Sequence, residues 1–156
     1  MQLDRNDFLQ IVRNAPLVSI DLIVRDERDR VLVGMRLNRP AQGSWFVPGG
    51  RIYKDERLEA AFERITRTEL GTAMPRSSAR LLGVYEHLYE DNSLDVPGVS
   101  THYVVLGHQL RVQADALALP EAQHSRYRWV AIEELLRDTT VHANARAYFD
   151  GTWGGV

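Results

Sequence analysis

The amino-acid sequence predicts an α+β fold, a mixed β-sheet held between helices in an α/β/α sandwich, and not a regular parallel repeat. Three observations lead there. β-Branched runs come in groups instead of alternating one for one with helices, one strongly amphipathic helical pattern follows the third of them, and a shorter helical pattern stands near the C-terminus. At 156 residues, with 44% hydrophobic and 26% charged side chains, the chain has the size and balance of one globular domain, residues 1–156, with room for a core.

The elements follow in order. Phe8, Ile11 and Val12 fall at helical spacing in a short opening segment. Leu17 to Arg25 and Arg30 to Met35 are β-branched strands around the turn residues Asp26 to Asp29, which predicts a hairpin. Between Ala41 and Gly50, the punctuation of Gly43, Pro48, Gly49 and Gly50 around Trp45, Phe46 and Val47 predicts a short strand between tight loops. From Arg57 to Leu70 the pattern turns helical, with Leu58, Phe62 and Ile65 at three- and four-residue steps and Gly71 where a helix stop belongs. Leu81 to His87 and His102 to Val112 are strand-like and joined by a polar stretch from Tyr89 to Ser100; Tyr127 to Ile132 is a further strand, followed by a short helix from Glu133 to Arg137. Residues 151–156 read as a loose tail.

Composition narrows the function. The formal net charge of −2, without a long block of like charge, points to neither a nucleic-acid partner nor an anionic membrane, so an anionic ligand has to be held by a few placed cations. With no cysteine, zinc fingers and thiolate nucleophiles are excluded, and a catalytic metal requires oxygen or imidazole ligands. No apolar run approaches membrane-spanning length, and a cytoplasmic location is the expectation.

The sharpest signal is Gly50-Arg51-Ile52-Tyr53-Lys54-Asp55-Glu56, seven residues, then Arg64-Ile65-Thr66-Arg67-Thr68-Glu69-Leu70-Gly71, a loop, a helix and a loop. Glu69 extends the Phe62 and Ile65 stripe onto the face directed at the protein body. A carboxylate there requires a partner, either a basic side chain or a hard cation such as magnesium, which prefers oxygen ligands. Pro48-Gly49-Gly50 is either a tight turn or a place where backbone approaches a ligand closely. The spacing of Glu56 and Arg64 suits a structural ion pair supporting the helix.

This pattern resembles the Nudix box, Gly, Glu six residues on, then Arg-Glu-apolar-any-Glu-Glu-any-Gly. Gly50, Glu56, Arg64, Glu69 and Gly71 match; Ile65 and Thr68 stand where the family has glutamates, and Thr66 stands at the apolar position. Losing two carboxylates implies weaker binding of multiple divalent ions and a base other than a metal-bound glutamate. The same losses mark the GDP-mannose mannosyl hydrolase branch of the family. Residues 38–43, Trp45-Phe46-Val47-Pro48-Gly49-Gly50-Arg51, residues 101–107 and Val141-His142-Ala143-Asn144 also resemble that branch, so that the likeness runs from about Asp7 to Phe149.

The resemblance implies a Nudix fold, a homodimer and magnesium held by Glu69, the side-chain oxygen of Gln123 and a glycine-loop carbonyl taken as Gly50. It implies Arg36 and Arg51 as diphosphate clamps, Tyr103 as a donor to the leaving group, Asp21 at the sugar end, His124 as general base and Arg64 as an indirect neutraliser. The residues alone leave alternatives open. Strand alternation allows Asp21 and Ser19 to face solvent, Tyr103 suits ordinary sheet packing, the arginines suit the surface, and His87, His102 and His142 are rival bases. The implied activity is hydrolysis of a GDP-hexose, GDP-mannose or GDP-glucose, to GDP and free sugar, with water attacking the anomeric carbon with inversion. A phosphorus-attacking pyrophosphohydrolase and a non-hydrolytic nucleotide-sugar sensor are the competing expectations.

Overall fold

The computed structural model describes residues 2–120 and 124–151, and of His124 and Ser125 the backbone only. Helix α1 (Arg5–Asn14) starts where the Asp4 carboxylate accepts the Asp7 N–H at 2.9 Å, satisfying one of the donors a helix start leaves free. It buries Val12 against Leu17 and Val99, while Ile11 stays exposed. Strand β1 (Leu17–Arg25) turns into β2 (Val31–Arg36) through Asp26, whose buried carboxylate accepts N–H groups of Arg28 and Arg30 and pairs with the Arg30 guanidinium. Two short strands follow, β3 (Trp45–Phe46) and β4 (Gly49–Arg51). Helix α2 (Leu58–Leu70) ends at Gly71 with φ 74°, where a Cβ would sit 2.0 Å from the Ala118 carbonyl oxygen; the backbone angle and the space both call for glycine. Then come β5 (Arg80–Tyr89), β6 (Thr101–Arg111), β7 (His124–Val130), α3 (Ile132–Arg137) and α4 (Ala143–Arg146).

The strand expected over Tyr127 to Ile132 stops at Val130, because Ala131 is already the N-cap of α3. Helix α4 was not anticipated: four residues are too few to display a period, and the turn is held by His142, whose Nδ1 accepts the Asn144 N–H at 3.0 Å.

The sheet runs β3-β2-β1-β6-β5, with β4 also paired to β1 and β7 to β2. Strand β1 lies parallel to β6 from Leu17↔Tyr103 to Arg25↔Arg111, and every other pairing is antiparallel, so the sheet is mixed. Side chains alternate between its faces. Ile20, Leu22, Val24 and Leu32 pack on α2 through Ala61, Phe62, Ile65 and Leu70. Val31, Val33 and Val130 face Leu135, Val141 and Ala145 of the α3–α4 side. Each large side chain in these layers contributes about 1.5–3 kcal/mol by leaving water, and helices on both faces make the expected sandwich.

Candidate active site

The C-terminal end of β2, the glycine loop and β4 border a cleft of two adjoining hollows that share Arg36, Gly49, Gly50 and Arg51. One hollow continues to Asp21, His87, Tyr89 and Tyr103; the other continues to Phe8, Tyr53, Thr68 and Glu69. The two arginines therefore stand between a polar, aromatic end and an end carrying the helix carboxylate.

Ladder parity sets what the glycine loop offers. Strand β4 pairs with β1 as Ile20↔Gly50, flanked by bonds from Leu22 N–H to the Pro48 oxygen and from Ile52 N–H to the Val18 oxygen, each 2.8 Å. Alternate residues of an antiparallel strand point their backbone groups to the partner, so Gly50 faces Ile20 while Gly49 and Arg51 face away from β1. The Arg51 carbonyl is taken by Arg64 Nη2 at 2.8 Å. Sequence reasoning named Gly50 as the carbonyl donor; the register instead turns the Gly49 carbonyl away from β1. Gly49 also cannot carry a side chain, since a Cβ would lie 2.3 Å from Asp21 Oδ1 and 2.7 Å from the Ile20 oxygen.

Glu56 and Arg64 form the structural pair that their spacing suggested. Arg64 donates Nε to Oε1 at 2.7 Å and Nη2 to Oε2 at 2.8 Å, and the Tyr53 N–H donates to Oε2 at 2.9 Å. These donors hold the Glu56 carboxyl below its usual pKa. The pair staples the loop to α2. Arg51 leaves the same loop with its guanidinium 5.0 Å from the centre of the Phe8 ring and 4.9 Å from that of Tyr53. Stacking on two rings fixes a fork whose edge remains available to oxygen ligands.

Glu69, in the last turn of α2, is 3% exposed and lines the cleft. Ile65 occupies the place of a box glutamate and is buried, its Cγ1 lying 3.1 Å from where a Gly50 Cβ would be. Thr66 is buried at the apolar position because its hydroxyl is fully used, donating to the Phe62 oxygen at 3.0 Å and accepting the Met74 N–H at 2.9 Å. Among the described residues no group of three or more His, Cys, Asp or Glu gathers in a metal-holding arrangement. What the cleft offers is a hard, all-oxygen set, one inward carboxylate and backbone carbonyl, which fits a divalent ion that keeps part of its shell for water or phosphate. Gln123 lies outside the described residues.

At the other end the alternative of a solvent-facing Asp21 does not hold. Asp21 and Ser19 are buried, and the Asp21 carboxylate accepts the Tyr148 hydroxyl at 2.5 Å. Burial, opposed by Tyr148 and Arg36 and reinforced by Glu69, pushes the Asp21 carboxyl up to about 7. His87 Nδ1 lies 3.9 Å from Asp21, and burial with the neighbouring His142 brings its pKa down to about 4, a neutral imidazole poorly suited to take a proton at neutral pH. His142 is spent on capping α4. Tyr103 lines the same hollow, its hydroxyl pKa raised by burial and opposed by Arg36 and Arg51. The His124 side chain lies outside what is described; its backbone pairs with Arg36 across β7 and β2, which puts the two positions side by side. Sequence reasoning missed Tyr148, which arrives from a segment with no strong periodicity, and Phe8 and Tyr53, which it took only as packing or loop residues.

The family model for the NUDIX domain matches residues 15–150. The chain belongs to the Nudix family. Over 119 residues it is 42% identical to the low-salt glycan biosynthesis protein Agl8 of Haloferax volcanii, covering 76% of this chain and 72% of that one. Nudix folds among solved structures superpose well: a MutT protein from Methanosarcina mazei Go1 with a TM-score of 0.68 at 23% identity over 87% of this chain and 92% of the other, and a MutT NUDIX hydrolase from Burkholderia pseudomallei with 0.68 at 24% over 86% and 96%. The NUDIX domain of Shewanella oneidensis NrtR, complexed with ADP ribose, gives 0.63 at 21% over 94% and 95%. In this Nudix hydrolase no helix among the described residues is long and apolar enough to cross a membrane.

Proposed function

We propose that this Nudix hydrolase cleaves a GDP-hexose, GDP-mannose or GDP-glucose, into GDP and free sugar by attack of water at the anomeric carbon. The observation that carries the reading is Ile65: a buried apolar side chain stands where the box would place a second carboxylate, leaving Glu69 beside a glycine loop and two arginines. Such a site suits neutralising a leaving diphosphate better than activating water at phosphorus. The name of the 42% identical relative, a glycan biosynthesis protein, supports a sugar-bearing substrate.

In this mechanism Arg36 and Arg51 bind the diphosphate between the two hollows, and Tyr103 donates a hydrogen bond to the departing oxygen. Glu69, Gln123 and the Gly49 carbonyl would hold magnesium, which would supply further neutralisation of the leaving group. His124 takes a proton from water as its oxygen bonds to C1 and the C1–O bond breaks, the electron pair leaving with GDP. Attack from the opposite face gives inversion. Asp21 faces the sugar, whose ring gains positive charge in the transition state. Phe8 and Tyr53 line the Glu69 end and hold Arg51 by stacking against its guanidinium. The protein acts in the cytoplasm as a homodimer, which light scattering on purified protein checks.

The deciding experiment is phosphorus NMR with magnesium and GDP-mannose in oxygen-18 water. Unlabelled GDP with labelled mannose is the expected outcome. Labelled GMP or labelled mannose phosphate moves the attack to phosphorus, and retained binding without turnover favours a sensor.

A further inference from the structure

Two glycines far apart in sequence accommodate one side-chain stack. At Gly107 of β6, a Cβ would meet Tyr85 Cε2 at 2.9 Å and Tyr148 Cε1 at 3.2 Å; at Gly49, a Cβ would meet Asp21 Oδ1 at 2.3 Å. Between these bare backbone positions lie the Tyr148 ring, packed edge-on against Tyr85 at 4.5 Å, and the Asp21 carboxylate. Tyr148 donates its hydroxyl to Asp21 Oδ2 at 2.5 Å and lies 3.5 Å from His87 Nε2. The carboxylate is held at Oδ2 by the Tyr148 hydroxyl, and the lack of a side chain at Gly49 leaves the room that Oδ1 occupies. A tyrosine serving only as core packing has no need to direct its hydroxyl at a carboxylate that lines the cleft.

We propose that Tyr148 is a positioning residue for the sugar end of the site, fixing the rotamer of Asp21 so that its carboxylate presents one orientation to the hydroxyls of a neutral pyranose, and thereby sets discrimination between sugars. The inference rests on the nucleotide-sugar reading above. Val141 and Ala145 pack into the core and His142 caps α4, and residues 141–148 so bring Tyr148 to Asp21. Because Tyr148 acts through Asp21, its hydroxyl matters for the sugar and not for the nucleotide diphosphate, which the arginines hold at the other side of Gly49.

The test compares wild type, Tyr148→Phe, Asp21→Ala and the double variant. For each, kcat and KM are measured with GDP-mannose and GDP-glucose, the affinity for GDP by calorimetry, and the thermal midpoint. Tyr148→Phe is expected to lower kcat/KM for the preferred sugar by roughly 10- to 100-fold, the range for a hydrogen bond to a charged group, to narrow the ratio between the two sugars, and to leave GDP affinity within about twofold. In the double variant the loss is expected to equal that of Asp21→Ala alone. Additive losses, an unchanged sugar ratio, or a parallel fall in GDP affinity and thermal midpoint each overturn the proposal. If wild type turns over no nucleotide sugar, the substrate reading fails by itself, and the clamp is then judged by calorimetry. A GDP-mannose to GDP affinity ratio altered by Tyr148→Phe upholds it, and an unaltered ratio or no affinity for either ligand overturns it.

Discussion

Replacing Asp21 by Asn makes the stability of this protein less sensitive to alkali, and the size of the effect follows from where β1 puts that carboxyl. Asp21 is 7% exposed, and its pKa rises from 3.8 to about 7, chiefly by burial. Below about pH 4 folded and unfolded chains both carry the proton. Between there and about 7 the unfolded chain releases it while the folded chain keeps it, so the folded state binds more protons and stability falls as pH rises. Above about 7 the loss is complete, and at 1.36 kcal/mol per pH unit it amounts to about 4 kcal/mol. Asparagine keeps the shape and an acceptor for Tyr148 but has no charge to desolvate. Urea unfolding of both proteins at about pH 5.5 and about pH 8.5, in chelator, is expected to show the variant gaining about 2 kcal/mol on the wild type between the two conditions. A difference that does not change with pH would refute the argument, because a pH-independent gain reflects packing and not the cost of a buried charge.

Other outcomes follow from the same geometry. Glu56→Ala strands Arg64 and frees the Tyr53 amide; with both partners partly exposed, a loss of about 2 kcal/mol is expected, read as a thermal midpoint lowered by roughly 4–8 °C. Phe62→Ala, at a fully buried position between α2 and the sheet, is expected to cost about 4 kcal/mol in urea unfolding. Gly49→Ala drives a Cβ into Asp21 and the Ile20 carbonyl and displaces the loop carbonyl and the clamps, so turnover is expected to fall about 100-fold with weaker manganese binding by paramagnetic resonance, while the same change at Gly43, where nothing lies within 4 Å but φ is 78°, affects folding alone. His124→Gln is expected to lower kcat by roughly 100- to 10,000-fold with little change in substrate affinity, and full activity across pH removes it as the base.

Much of this was legible in the order of residues, because it depends on neighbours a few positions apart. The Phe62, Ile65 and Glu69 spacing announced α2 and its inward carboxylate, and Gly71 its left-handed stop. The β-branched run at Leu17–Arg25 announced β1, and Glu56 and Arg64 meet across one loop and two helical turns. Ile65 and Thr68 departed visibly from the box.

Long-range pairing decided the rest. Alternation could not say which face of β1 meets water, since that depends on what covers it; the cleft wall of β5, β6 and Tyr148 buries Asp21, 127 positions away in the chain from its hydrogen-bond partner. Nor could two adjacent glycines reveal which carbonyl is directed away from the sheet, because that follows from the β1–β4 register. The sequence by itself determined the main elements, though not α4, together with the inward Glu69 and the missing box carboxylates, all properties of local period and residue type. Only the tertiary structure decided the burial of Asp21, the arrival of Tyr148 and the direction of the Gly49 carbonyl away from β1, because each depends on segments far apart in the chain brought together by folding.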